Sequence, residues 1–145
     1  IMGGLRHAGL IVNDAEKALT LYRDILNFNP KVDQIESDNF FQKLVGIDGA
    51  IARTIKCYSI HDDSCIEIIE YKTPDMIDRA KDINSLGFNH IAINTNNLKD
   101  LSIKLKAIGL SFINEPSVNL DETAMVAFCY DFEGNLLELV ELINV

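Results

Sequence analysis

Two histidines and two glutamates carry the chemistry this chain offers. His7 opens an apolar run, His7-Ala8-Gly9-Leu10-Ile11-Val12, that closes on Asn13. His90 opens another, His90-Ile91-Ala92-Ile93, that closes on Asn94. Glu67 lies in Ile66-Glu67-Ile68-Ile69-Glu70 and Glu138 in the matching Leu137-Glu138-Leu139-Val140-Glu141. Successive side chains of a strand point to opposite faces, so Glu67 cannot share a face with Glu70, nor Glu138 with Glu141. Ile66, Ile68 and Glu70 take one face; Cys65, Glu67, Ile69 and Tyr71 take the other. A carboxylate among apolar neighbours is costly to bury alone. A metal ion removes that cost, and borderline divalent metals accept imidazole and carboxylate together. Taken singly, each residue has a plainer reading: a satisfied histidine at a strand start, a solvated glutamate near a strand end. Two of each at equivalent places weaken that reading.

The equivalence is an internal repeat. His7 and His90 differ by 83 (90 − 7), and Ala15/Leu98, Ala18/Leu101, Tyr22/Leu105 and Ile25/Ile108 keep that offset. Such self-similarity points to two copies of one supersecondary unit. Glu67 and Glu138 differ by only 71 (138 − 67), so the first copy holds about twelve extra residues, for which Asp38 to Gly49 is the natural place.

The elements that must position these residues follow from periodicity. His7 to Val12 reads as a strand, and Asn13 or Asp14 offers an N-cap. Apolar residues at helical spacing predict a helix from Ala15 to Leu26, ended by Asn27 in a left-handed cap and by Pro30. Lys31 to Glu36 is a strand candidate. Asp38 to Gly49 fits a strand or a short helix. Strands are expected over Ile51 to Ile60 and Cys65 to Tyr71, with a turn at His61 to Ser64. Pro74 opens a connector with a helical turn or two through Ile83, and Gly87 closes it. The second copy has a strand over Asn89 to Asn94, a helix over Leu98 to Ile108 capped by Gly109, and strands over Ser111 to Glu115, Thr123 to Tyr130 and Leu136 to Ile143. A turn at Asp131 to Asn135 precedes the last. The expected organisation is α+β: two βαβββ modules, residues 1–73 and 87–145, joined by a connector over 74–86. Neither buries both faces of its sheet alone, so the two are expected to pack as one paired domain with a curved mixed sheet and a metal-binding cleft.

The bulk properties narrow the partners. The chain has 145 residues, 48% of them hydrophobic, enough for a real core. Its formal net charge of −9 argues against nucleic acid, which needs clustered Lys and Arg, and against an anionic membrane surface. No apolar run reaches the roughly 18 residues of a membrane span. No secretory signal is expected, and Ile1 ahead of Met2 suggests a trimmed start. The three cysteines, Cys57, Cys65 and Cys129, form no CxxC pair and sit in apolar runs, which fits buried thiols in a reducing cytoplasm.

These motifs together resemble the vicinal-oxygen-chelate superfamily, which includes glyoxalase I, methylmalonyl-CoA epimerase, extradiol dioxygenases, and fosfomycin and bleomycin resistance proteins. His7-Ala8-Gly9-Leu10-Ile11-Val12-Asn13-Asp14, with Tyr22 and Ile25-Leu26-Asn27-Phe28, looks like its opening strand and helix, with Asn27 in place of the usual Gly. Ile66-Glu67-Ile68, His90-Ile91-Ala92 and Asp131-Phe132-Glu133-Gly134-Asn135-Leu136-Leu137-Glu138-Leu139 match its other signatures. The resemblance implies a divalent metal held by His7, Glu67, His90 and Glu138, two from each module. Zinc or nickel comes first, with cobalt, manganese and iron as further candidates. It implies a glyoxalase-like lyase or isomerase that abstracts a proton beside a metal-bound carbonyl, with Glu138 or Glu67 as base. The activity resembles lactoylglutathione lyase or an epimerase of a small acyl thioester.

Ile11 and Tyr71 stand where glyoxalase I carries an Arg and an Asn for glutathione. Asn89 and Tyr130-Asp131-Phe132 stand where the epimerase carries a histidine and a His-Pro-Lys loop. The alternative is a non-catalytic protein that sequesters a small molecule, as bleomycin resistance proteins do. Arg53 and Lys56 lie on a strand, where they are either solvated or meet an anionic substrate. Open sheet edges, together with the resemblance, imply a homodimer.

Overall fold

The computed structural model describes residues 2–79 and 81–144, and the chain divides into two compact units, 1–79 and 80–145. The first contains β1 (Ala8–Ile11), α1 (Ala15–Tyr22), β2 (Phe28–Glu36), α2 (Asn39–Val45), β3 (Ile51–Ser59) and β4 (Cys65–Thr73). Its sheet has the order β1-β4-β3-β2, with β1 parallel to β4 and the other neighbours antiparallel. The second contains β5 (His90–Asn94), α3 (Leu98–Ala107), β6 (Ser111–Phe112), β7 (Ser117–Val118), β8 (Ala124–Tyr130) and β9 (Leu136–Leu142). Its order is β5-β9-β8-β6, with β7 also on β8 and β5 parallel to β9. The fold is therefore α+β and built of two βαβββ modules. The strands form two mixed sheets, one per unit, where a single curved sheet was expected.

Each helix packs on the sheet face that its apolar stripe dictates. Ala15, Ala18, Leu19 and Tyr22 of α1 are buried, as are Ile55, Cys57, Ile66 and Ile68 of the sheet. In the second unit Leu98 and Leu105 of α3 are buried, as are Ala127, Cys129, Leu137 and Leu139. Each Leu or Ile so buried contributes about 1.5–3 kcal/mol. The three cysteines are free and buried. Burial pushes the Cys57 thiol up to about 11 and that of Cys129 up to about 12, so both stay protonated.

The second glutamate of each pair fastens helix to sheet. The Ala15 amide, at the start of α1, donates to Glu70 Oε2 at 2.6 Å. The Leu98 amide, at the start of α3, donates to Glu141 Oε1 at 3.0 Å. These are first-turn amides with no partner inside the helix, at the positive end of its dipole. Local caps complete the ends: Asp14 accepts from the Lys17 amide and Asn97 from the Asp100 amide.

Several boundaries differ from the expectation, each for a visible reason. Helix α1 ends at Tyr22 and not at Leu26. The Asp24 and Leu26 amides reach the Leu19 and Leu21 carbonyls, five residues back, so the last turn widens before Asn27 enters the left-handed region at φ 62°. Strand β2 starts at Phe28 and passes through Pro30, with a register shift between Pro30 and Val32. An edge strand with a bulge tolerates the missing amide. Asp38 to Gly49 resolves as a short helix: Asp38 Oδ1 accepts from the Phe41 amide, and Gly46 at φ 72° ends it. Of the expected strand over Ser111 to Glu115 only Ser111–Phe112 (β6) forms, and a further two-residue strand, β7, follows Pro116. The expected helical turns between Pro74 and Ile83 do not form among the described residues. Ile77 is 86% exposed and Ile83 52%, so no apolar face there repays helix formation. Ala80 lies outside the described residues. No helix among the described residues is long and apolar enough to cross a membrane.

The Glu70 bridge makes a stability prediction. Burial alone raises its carboxyl pKa, but the Lys72 ammonium and the Ala15 amide outweigh this and hold it below its usual value. Its stabilisation is therefore present above the unfolded-state value and lost as pH falls through the folded one. Glu70→Gln should cost about 1–2 kcal/mol in urea unfolding at pH 7. The gap to wild type should close as the pH drops below the normal glutamate range; a pH-independent gap would show that charge at this position is irrelevant.

Candidate metal centre

In the first unit the parallel β1–β4 pairing does the positioning. Its register sets Gly9 opposite Glu67, so the side chain of His7, two residues before Gly9, projects on the glutamate's face. His7 Nε2 lies 3.8 Å from Glu67 Oε1. The Glu67 side chain is only 16% exposed, so its charge is poorly hydrated.

The second unit repeats the device. Strands β5 and β9 pair with Ala92 opposite Glu138 and His90 two residues earlier. His90 Nε2 lies 3.2 Å from Glu138 Oε1. The turn between β8 and β9 sets the antiparallel register that places Phe128 opposite Glu138. Buried Asp131 accepts from the Glu133 and Asn135 amides and from Asn135 Nδ2, and Gly134 takes φ 78°.

The His90 ring is oriented from two sides. The edge of the Phe128 ring meets it at 5.2 Å between centroids and 82° between planes. Asn89 Nδ2 donates to the Ile83 carbonyl at 2.6 Å, which turns Asn89 Oδ1 toward His90 Nδ1 at 2.7 Å. An amide oxygen only accepts, so Nδ1 carries the proton in that contact. In the neutral imidazole, Nε2 then presents a lone pair to the Glu138 carboxylate. Two acceptors at 3.2 Å repel unless a proton or a cation stands between them. A histidine whose far nitrogen is fixed by a hydrogen bond, facing a carboxylate, is the usual preparation of a metal ligand.

His7 is thus brought to Glu67, and His90 to Glu138. Among the described residues of either unit, no three His, Cys, Asp or Glu side chains gather as a metal cage. Each unit supplies a pair. The donor chemistry, imidazole nitrogen with carboxylate oxygen, suits a borderline divalent ion.

Of the two strand cations, Arg53 is spoken for. It lies on the α1 face, donating to Asp33 at 2.9 and 2.7 Å and to Glu16 at 2.7 Å. Lys56 lies on the other face, opposite Glu67. The sequence reading missed Asn89 as an orienting group and Glu70 and Glu141 as helix acceptors. The glutamates had a signal: each follows a candidate ligand by three residues and so points to the helix side. Asn89 had none, because its role depends on where the Ile83 carbonyl falls.

The comparisons agree with this architecture. A family model described as the Glyoxalase/Bleomycin resistance protein/Dioxygenase superfamily matches residues 4–139. No curated protein sequence matches the chain. Among solved structures, a glyoxalase family protein from Bacillus cereus is similar at 16% identity and a TM-score of 0.90, covering 97% of this chain and 94% of its own. A glyoxalase family protein from Enterococcus faecalis is similar at 17% identity and a TM-score of 0.66, covering 95% and 97%. The fosfomycin resistance protein FosX from Listeria monocytogenes, complexed with Mn(II) and sulfate, is similar at 19% identity and a TM-score of 0.62, covering 99% and 96%. At these identities the likeness is one of fold. The family match, which runs through both modules from before His7 to beyond Glu138, carries the classification: this chain belongs to the Glyoxalase/Bleomycin resistance protein/Dioxygenase superfamily.

Proposed function

We propose that this protein is a metal-dependent enzyme whose ligands to a divalent cation are His7, Glu67, His90 and Glu138. The observation that carries the reading is the approach of His90 Nε2, its Nδ1 side held by Asn89, to Glu138 Oε1 at 3.2 Å. The 3.8 Å pair in the first unit is its repeat equivalent. The Mn(II) bound to the FosX of similar fold supports a divalent ion. Zinc, nickel and manganese all accept this donor set.

The reaction class proposed is 1,2-proton transfer on an α-substituted carbonyl compound, giving isomerase, epimerase or lyase activity. The bound cation supplies Lewis acidity toward the carbonyl oxygen, which makes the neighbouring C–H more acidic. The chain supplies the base. Glu138 or Glu67 takes the proton from carbon and returns it to the adjacent position or the leaving group. His7 and His90 complete the donor set through their Nε2 atoms. The buried leucines beside Glu138 on its strand, Leu137 and Leu139, hold it rigidly in register. The chain is further proposed to act as a homodimer, on small molecules.

Four measurements test this reading. His90→Ala should lower metal content and weaken metal binding at least ~10-fold, since a direct ligand is lost; unchanged stoichiometry and affinity would remove His90 from the ligand set. Asn89→Ala, which touches no metal, should weaken binding about 10–100-fold through the released imidazole. Glu138→Gln should unfold like wild type and lose about 10²–10⁴ of turnover, the usual worth of a general base. Solvent deuterium exchange into 2-oxo compounds, hemithioacetals and thioesters identifies the substrate. Tight binding of such compounds to the metal-loaded protein with no exchange would make it a sequestering protein instead.

A further inference from the structure

The two units differ at one place beside their His–Glu pairs. In the first, the residue across the antiparallel ladder from Glu67 is Lys56. In the second, the residue across from Glu138 is Phe128, which packs against His90. The repeat therefore keeps the ligand pairs and changes the neighbour, from an aromatic ring to a cation.

Lys56 is unlike the other lysines. It is half-buried, whereas every other lysine of the chain is exposed. Opposed residues of an antiparallel pair have β-carbons about 4.5–5.5 Å apart, so Lys56 and Glu67 are neighbours on one face. Yet no ion pair joins them within 4 Å, and among the described residues Lys56 has no hydrogen-bond or ion-pair partner. The other strand cation, Arg53, is bound to Asp33 and Glu16 on the opposite face. In a chain of net charge −9, a half-buried lysine with no carboxylate partner among the described residues is open to an anion from outside the chain.

The rest of the face limits where that partner sits. Further along the same strands, Ala52, Ile69 and Tyr71 are covered by Phe41 and Val45 of α2, the insertion that the second unit lacks. This closes one end and leaves His7, Glu67 and Lys56 at the other. We propose that Lys56 anchors an anionic group of the substrate, a carboxylate, phosphate or phosphonate, beside the Glu67 end of the metal centre. Lys56 is a positioning residue, and the substrate class is a carbonyl compound with a negatively charged substituent. This rests on the metal-centre reading given above, and the experiment separates the two.

The probes are dihydroxyacetone phosphate, hydroxypyruvate and uncharged dihydroxyacetone, which share a hydroxy-ketone and differ in charge. Mn(II) is titrated first into wild type, Lys56→Gln and Lys56→Arg, and then each probe into the Mn(II)-loaded proteins. Wild type should prefer at least one charged probe over dihydroxyacetone by ~10-fold or more. Phosphate preferred over carboxylate, or the reverse, names the anion. Lys56→Gln should erase that preference while binding Mn(II) and dihydroxyacetone within about twofold of wild type, and Lys56→Arg should keep most of it. A preference that survives in Lys56→Gln overturns the assignment. So does a parallel loss of Mn(II) affinity, which would make the lysine a structural part of the centre. If wild type binds none of Mn(II), Zn(II) and Ni(II), the metal reading fails by itself. Lys56 is then judged on the metal-free protein, where the charged-probe preference must still vanish in Lys56→Gln for the proposal to stand.

Discussion

The parallel pairing of first and last strands is the constraint on which each unit depends. A parallel pair needs a crossover, and here the whole of the intervening module serves as that crossover. Its consequence is chemical. A histidine near the start of the module and a glutamate near its end, 60 (67 − 7) and 48 (138 − 90) residues apart, land on the same face of adjacent strands. Nothing local in the chain would bring them together. Shifting either pairing by one residue would send the glutamate to the helix side, because strand side chains alternate.

That alternation also explains why each last strand carries two glutamates three residues apart. One parity aims Glu67 and Glu138 at the histidines; the other aims Glu70 and Glu141 at the amides that open α1 and α3. A register slip would exchange the two roles and leave a carboxylate in the apolar layer beneath the helix, among residues such as Ile68 and Leu139 that are 0% exposed. The helix bridge thus guards the register that the histidine–glutamate pair requires. Stability and the candidate chemistry are linked through one strand and its period of two.

Much of this was legible in the residues. The repeat offset, the strand parity and the matched Ile-Glu-Ile and Leu-Glu-Leu runs located the pairs and the fold class, since alternation and helical spacing are properties of short windows. The place of the insertion was legible too, from the difference between two offsets, though its form as α2 was decided by Asp38 and Gly46 at its ends. What could not be read depended on tertiary placement. The widened last turn of α1 reflects Leu19 and Leu21 carbonyls accepting from five residues on. The irregular path after Pro74 reflects apolar residues that find nothing to cover them. Arg53 and Lys56 looked alike as strand cations, and only the sheet register separates a guanidinium bound to two carboxylates from an ammonium without a carboxylate partner among the described residues.

A duplicated module offers a way to separate what its geometry requires from what a particular substrate requires. Positions that hold the centre together should match between copies: the histidine, the two glutamates, the small residue opposite the first glutamate (Gly9 and Ala92), and the helix start all do. Positions that face a substrate have no reason to match, because a substrate is rarely symmetric. The differences observed here are α2, which covers part of one face only, the exchange of Lys56 for Phe128, and Asn89, whose counterpart is Arg6. The phenyl ring and the Asn89 amide both act on His90, which ties the second unit's neighbours to orienting a ligand. The first unit's neighbours, an ammonium and an apolar end wall, give His7 no such supports among the described residues and present a charge and a boundary instead. On the proposed reading, orientation is concentrated in the second copy and selectivity in the first, a division that two similar modules can reach by few substitutions and one insertion, with the strand pairing that carries the four candidate ligands left intact.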